Sequence, residues 1–213
     1  MTEELDRRQS FGEEVANSVS HGIGLAALLA VGPLLIQHAE RVGADAFVVG
    51  VSIFVASAFV LYLSSTLYHA FPHGAGKRVF RIIEHSAIFV LIAGTYTPFM
   101  LGVLRGPWGW TLVSLIWAIA LGGVLLKTIG RRGHGTLSLV LYLGMGWLLV
   151  VAIRPMWLHV PKPGLALILA GGIAYTLGTA FYAADRKYDH FIWHLFVLAG
   201  TTCHLIAIWR YAA

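Results

Sequence analysis

Charge is what this sequence has least of. Only 12% of its 213 residues are Asp, Glu, Lys or Arg, whereas a soluble domain usually carries about 25%. Hydrophobic residues make up 58% of the chain. Such a chain cannot cover its own surface with polar groups, which indicates that lipid is its solvent.

Cysteine is almost absent as well. Cys203 stands alone, which excludes an intrachain disulfide and a cysteine-based metal cluster. We interpret it as a small buried apolar residue. The sequence shows no repeat of the kind found in transporters built from two inverted halves. No lysine lies in the middle of an apolar run, which excludes retinal-type photochemistry.

Long apolar stretches are what the sequence has instead, and a bilayer crossing requires about 20 helical residues. Seven stretches qualify, approximately at residues 17–38, 44–68, 82–103, 108–127, 136–153, 164–182 and 190–209. The fifth is the least clear, because its far end runs through Arg154 and Pro155. The sequence predicts an all-α membrane protein, a seven-transmembrane helix bundle at residues 17–213 with a polar tail at residues 1–16.

The basic residues predict the orientation of this bundle. Ten Lys and Arg residues lie in the amino-terminal tail and the second, fourth and sixth links, against five on the other side. By the positive-inside rule, the amino terminus is cytoplasmic and the carboxyl terminus is outside. The net charge of +5 is thereby explained by topology, and we expect no nucleic-acid partner. The first apolar run lacks a convincing cleavage site, so we expect a retained helix in the cell membrane and no secretion signal.

Three histidines fall at one end of the predicted helices. His69 ends the second span, and His190 and His194 begin the seventh with the i, i+4 spacing that places both rings on one helix face. The charge rule puts all three on the cytoplasmic side. Because imidazole is the commonest metal ligand and a nitrogen-rich tetrahedral site suits zinc, we predict a shared Zn²⁺ site.

Two further residues belong to the same level of the membrane. Glu84, near the start of the third span, needs a partner, either a divalent cation with its water or Arg81 three residues earlier. Ser65 precedes His69 by one turn. Its hydroxyl either bonds back to a helix carbonyl or orients a ligand or a substrate carbonyl in the site.

Other polar residues have alternative interpretations. Glu14, Asn17 and His21 share one helix face, and the first two are either helix caps or part of the polar site, whereas His21 is expected to face the bundle interior. His204 lies fourteen residues after His190, about 21 Å deeper. It cannot ligate the same ion, so it lines a cavity or bonds to a neighbouring helix.

Taken together, the segments EEVANSVSHGIG, SSTLYH, RIIEHSAIFVLIAGTYTPF and DHFIWHLFVLAGTTCH resemble the hemolysin III family. That family belongs to the superfamily of progestin and adipoQ receptors, itself grouped with alkaline ceramidases. The resemblance extends over nearly all seven helices in order. It rests on the combination of S-x3-H, an acidic residue opening the third helix and H-x3-H opening the seventh.

The resemblance implies a zinc ion near the cytoplasmic leaflet, held by His69, His190 and His194. In receptor relatives the acidic residue holds a zinc-bound water, and the serine at the Ser65 position lies close by. The family usually has Asp where this chain has Glu84. The extra methylene would bring the carboxylate onto the metal itself or shift the water.

The leading functional hypothesis is a zinc-dependent membrane hydrolase that acts on a lipid amide or ester. Three imidazoles leave a fourth position for water, whose pKa falls to about 7 on zinc. Glu84 would act as general base, and zinc with Ser65 would stabilise the oxyanion. Membrane lipids are the expected partners, with one of them as substrate, and the sequence assigns no oligomeric state.

Two hypotheses compete with it. One is a sensor or regulator of membrane state in which zinc is structural and no turnover occurs. The other is a transporter with His21, Glu84 and His204 as a proton path, which the lack of inverted repeats disfavours. The family name suggests cytolysis, which we interpret as membrane disturbance on overproduction, because a polytopic chain is a poor secreted toxin.

Overall fold

Helices form almost all of the chain in a computed structural model, which describes residues 9–129 and 135–213. They are α1 (Phe11–Val42), α2 (Asp45–Ala70), α3 (Ala75–Leu101), α4 (Pro107–Ile129), α5 (Gly135–Gly146), α6 (Ile153–His159), α7 (Lys162–Ala184) and α8 (Asp189–Tyr211). A 3-10 segment, Leu148–Ala152, joins α5 to α6. No strand occurs in these two ranges.

Seven segments of these helices are long and apolar enough to cross a membrane. Six are single helices, and the seventh combines α5, the 3-10 segment and α6 as Gly135–His159. The predicted all-α fold with seven spans is therefore confirmed. Residues 1–8 of the predicted tail and residues 130–134 of the fourth link lie outside the described residues.

The first helix begins at Phe11, six residues before the predicted start at Asn17. A capping box causes this: the Ser10 hydroxyl accepts from the Glu13 N–H at 3.4 Å, and the Glu13 carboxylate accepts from the Ser10 N–H at 2.9 Å. The alternative that Asn17 is the N-cap is wrong, since it lies inside the helix, whereas Glu14 lies in the first turn, where a carboxylate complements the positive helix end.

The fifth span is longer than predicted, and it is broken. It continues past residue 153 to His159, because α6, which follows the 3-10 segment, includes Arg154 and Pro155. The Tyr96 hydroxyl satisfies the freed backbone groups, with its oxygen 3.0 Å from the Leu149 N–H and 2.8 Å from the Met145 carbonyl. A broken helix in a membrane requires such replacement partners.

The helices pack unevenly around the bundle. Helix α2 packs along α1 and α3, α4 packs on α3, and α7 packs along α8, which also contacts α1. The broken span, by contrast, touches α3, α4 and α7 only sparsely. As a result, a cavity of about 500 Å³ lies between α3, the broken span, α7 and α8.

One end of the bundle gathers the residues of interest. Helices α1, α3 and α8 begin there and α2 ends there, and we name it the site end. The Tyr188 N–H donates to the Glu13 carboxylate at 2.9 Å, which joins the start of α8 to the start of α1. The cytoplasmic location of this end stays a prediction from the charge count.

Replacing Tyr96 with Phe should destabilise the protein by about 1–3 kcal/mol, since it leaves the Leu149 N–H and a buried carbonyl without a partner. Thermal unfolding in detergent measures this. Tyr211→Phe, in the partly exposed last turn of α8, is the matched control and should change little. Equal stability of the two variants would contradict the proposed role of the Tyr96 hydroxyl.

Candidate metal centre

The structure brings His69, His190, His194 and Glu84 together at the site end. One potential ligand atom from each residue lies within 4.8 Å of those from the other three. The ring of His69 has its centroid 5.0 Å from that of His190 and 5.2 Å from that of His194. Four side chains from α2, α3 and α8 thus place potential ligand atoms close enough together to share one ion.

Helix geometry explains this convergence. His190 and His194 lie one turn apart on α8, and their ring centroids are 4.7 Å apart. His69 lies in the last turn of α2, and Glu84 lies in the third turn of α3. The short link between α2 and α3 makes these helices antiparallel neighbours, so the end of one meets the start of the other.

The second ring nitrogen of His69 is held by α1. Its Nδ1 lies 2.8 Å from Glu14 Oε2. Because a carboxylate only accepts, Nδ1 carries a proton, and in the neutral ring Nε2 then presents its lone pair to the site. That Nε2 is buried without a hydrogen-bond partner.

His194 is oriented in the same way. Its Nδ1 lies 3.2 Å from the Asn17 carbonyl oxygen and 3.0 Å from Ser20 Oγ. Ser20 itself donates to the Asn17 carbonyl at 2.8 Å, so its oxygen is free to accept from Nδ1. The His194 proton is therefore on Nδ1, and Nε2 is left as a ligand. Carbonyl and carboxylate partners of this type fix the tautomer of metal-binding histidines.

The unsatisfied atoms at the centre suit a cation. His69 Nε2 and Glu84 Oε1 face each other at 3.6 Å, with side chains only 0% and 6% exposed. With a neutral His69 these are two buried acceptors, whose cost is relieved by a cation or a proton between them. His190 Nε2 and Glu84 Oε2 are also buried without partners. A donor set of three imidazoles and a carboxylate fits zinc.

For Glu84 and for Ser65, the structure bears on the two alternative interpretations that the sequence left open. Glu84 is buried and faces His69, whereas Arg81 is exposed. Ser65 is fully buried, and its hydroxyl has no hydrogen-bond partner. The neighbouring Ser64 does bond back to the Leu61 carbonyl at 3.1 Å. The Ser65 hydroxyl therefore makes no bond to a helix carbonyl, and its role in the site stays a prediction.

Lys77 was not singled out from the sequence, yet it holds the outer part of the site. Its Nζ lies 2.8 Å from Glu14 Oε1 and donates to the Tyr68 carbonyl at 2.9 Å. It also lies 4.6 Å above the Tyr68 ring. A chain of contacts thus runs from Lys77 through Glu14 to His69. The sequence signal was weak, because Lys77 falls in a basic link that topology already explained.

The other two flagged histidines have separate places. His21 is buried in the interior, stacked on His194 with ring centroids 3.6 Å apart, and neither of its ring nitrogens has a partner. His204 is not part of the four-residue group. It lies ten residues beyond His194 on α8, about 15 Å along the helix, and lines the same cavity as His21.

Comparison with known proteins decides the family. Residues 9–205 match the family model described as Haemolysin-III related. The chain belongs to the hemolysin III family. It is 43% identical over 213 residues to Hemolysin-3 of Bacillus cereus, an alignment that covers 99% of this chain and 97% of that protein. The Hemolysin-3 homolog of Bacillus subtilis (strain 168) is 42% identical over 200 residues, 93% and 94% of the two chains.

A more distant relative extends the comparison to animals. Monocyte to macrophage differentiation factor of Homo sapiens is 28% identical over 158 residues, 71% of this chain and 65% of that protein. These relatives confirm the predicted resemblance to the hemolysin III family and to the progestin and adipoQ receptor superfamily. With seven apolar helices and relatives in bacteria, the protein is a multi-pass protein of the bacterial cell membrane.

Purified protein should contain close to one bound zinc per chain, and His194→Ala should remove it, since one of the three converging imidazoles is lost. Elemental analysis of the protein in detergent measures this. His38→Ala is the matched control, because His38 stacks on Trp209 away from the site. A metal-free wild type that stays folded would instead favour a proton shared by His69 and Glu84.

Glu14→Gln and Lys77→Met should each weaken zinc binding about 10- to 100-fold although neither residue is a ligand, since orientation of His69 is lost. Competition with a zinc-binding dye gives the affinity. Lys77→Arg keeps the positive charge and should therefore keep most of the zinc affinity. Unchanged affinity in Glu14→Gln would show that His69 needs no help from α1.

Proposed function

We propose that this protein is a zinc-dependent hydrolase that cleaves a lipid amide or ester at the metal centre. One observation supports this best: the centre opens into the apolar cavity. Glu84, His190 and His194 line one end of the cavity, which continues along the bundle interior to Met156. Concave apolar spaces with a few convergent polar groups are the usual form of small-molecule sites.

The cavity also has a lateral opening suited to lipid. Trp147, Val150 and Ile153, at the break of the fifth span, line the cavity and are 40–58% exposed on the outer surface. Leu169 on α7 also lines the cavity, and its side chain is 52% exposed. In a bilayer this surface meets acyl chains, so a lipid would enter sideways and place its head group towards the site end.

The chain supplies each group that amide or ester cleavage requires. His69, His190 and His194 would hold the zinc, which polarises a carbonyl and lowers the pKa of water at an open coordination position. Glu84 would take a proton from the attacking water and pass it to the leaving nitrogen or oxygen. The Ser65 hydroxyl would donate a hydrogen bond to the carbonyl oxygen as negative charge develops there. Addition of water breaks the carbon–nitrogen or carbon–oxygen bond and yields a fatty acid with an amine or alcohol.

A membrane-state sensor with structural zinc is the second candidate, and one observation favours it. A carboxylate oxygen of Glu84 lies within 4.8 Å of a nitrogen of each of the three imidazoles. If Glu84 fills the fourth position, the shell is closed in the manner of structural zinc sites. Lipid in the cavity would then be sensed and not cleaved.

The two candidates differ in the behaviour of Glu84→Gln. For the hydrolase, we expect zinc to stay bound and the rate to fall about 10²- to 10⁴-fold, because the general base is lost. Release of fatty acid from N-acyl and O-acyl lipids in mixed micelles gives the rate, and elemental analysis gives the zinc. For the sensor, the variant should lose zinc and stability while wild type shows no turnover.

Ser65→Ala and His38→Ala complete the experiment. The first should lower the hydrolase rate while zinc and stability are kept, and the second should change none of them. Hydrolysis that persists at the wild-type rate in metal-free protein would contradict the proposed mechanism.

A further inference from the structure

At the end of the cavity away from the metal centre, His204 has a buried ring nitrogen without a hydrogen-bond partner. His204 is 7% exposed, and its Nδ1 is buried without a hydrogen-bond partner. Its Nε2 lies 3.2 Å from the Ile168 carbonyl oxygen. Because a carbonyl only accepts, Nε2 carries the proton, and Nδ1 is left as an acceptor with a free lone pair.

The ring of His204 is held in this position by close packing. A Cβ added at Gly171 on α7 would approach His204 Nε2 to 2.5 Å, so the absence of a side chain there lets the imidazole lie against the α7 backbone. The Tyr175 ring lies on the same side, with its centroid 5.5 Å away. The lone pair on Nδ1 is therefore presented by a ring with little freedom to turn.

The hydroxyls around the cavity do not supply a partner, because their protons are used elsewhere. Each threonine and tyrosine that lines the cavity has a hydrogen-bond partner within the protein. Thr95, for example, donates to the Leu91 carbonyl at 2.8 Å. Tyr175 pairs with Thr201 at 2.8 Å, and Thr201 in turn donates to a carbonyl of its own helix. The hydroxyls of this wall are therefore occupied, whereas His204 Nδ1 is an acceptor without a partner.

We propose that His204 recognises a hydrogen-bond donor, a hydroxyl or an amide N–H, carried part-way along the lipid chain that the cavity takes. The ten residues between His194 and His204 put this second polar contact about 15 Å from the metal centre. It distinguishes a substituted chain from a plain one, because a plain chain leaves Nδ1 buried and unpaired. The distance rests on the proposed function, which puts the carboxyl end of the chain at the metal.

A positional series of fatty acids tests this by binding alone. Octadecanoic acid and its 3-hydroxy, 12-hydroxy and 17-hydroxy derivatives would compete with a fluorescent fatty acid on zinc-loaded protein in detergent. We expect the 12-hydroxy acid to bind about fivefold more tightly than the other three, the net value of one additional hydrogen bond. Equal binding of all four would overturn the proposal and assign Nδ1 to trapped water.

Variants then assign the preference to one side chain. His204→Leu should lose the preference for the 12-hydroxy acid while it binds octadecanoic acid as wild type does, which also shows that the variant is folded. His38→Leu, on α1 outside the cavity lining, should keep the preference. A preference for the 12-hydroxy acid that remains in His204→Leu would contradict the proposal.

The binding series is independent of turnover, so the two proposals fail separately. A 12-hydroxy preference in a protein that hydrolyses no lipid would overturn the hydrolase and leave the role of His204 intact. Hydrolysis without any positional preference would overturn the role of His204 alone.

Discussion

Two buried acceptors, His69 Nε2 and Glu84 Oε1, face each other at 3.6 Å where α2 ends and α3 begins. Both side chains are buried, at 0% and 6% exposure, and the site end of the bundle is arranged around this pair. Two hydrogen bonds beside the centre turn a lone pair inwards. Glu14 does this for His69, and the Asn17 carbonyl does it for His194. A cation at the centre would convert this electrostatic cost into a link between α2, α3 and α8.

Helix α1 contributes no potential ligand, yet it fixes the tautomers of two ligand histidines, His69 and His194. Its capping box, formed by Ser10 and Glu13, extends it six residues beyond the apolar run, and those residues place Glu14 beside α2 and Lys77. The second carboxylate oxygen of Glu13 is thereby near the start of α8, where it accepts from the Tyr188 N–H. A polar segment that hydropathy assigns to a tail is therefore the part that positions the centre.

The sequence was sufficient for the spans and for the grouping of the ligands, for different reasons. The thickness of the bilayer sets the length of an apolar stretch that can cross it, so the seven spans were predictable. Charge asymmetry put His69, His190 and His194 at one depth, although depth alone says nothing about which helices are neighbours. The break in the fifth span was not predictable, because it depends on Tyr96, a residue from another helix. Lys77 escaped notice for a similar reason, since its partner Glu14 lies 63 positions earlier in the sequence.

The sparse packing of the broken span has a consequence for how the family can vary. Ligands and their hydrogen-bond partners come from α1, α2, α3 and α8, which pack on one another, whereas the lateral wall of the cavity comes from α5, α6 and α7. Substitutions such as those at Val150 or Leu169 can reshape the space for a lipid tail and leave every imidazole where it is. On the proposed function, the shape of the tail cavity could therefore vary separately from the ligand residues, so that relatives could share one reaction and differ in the width of the amphiphile they accept.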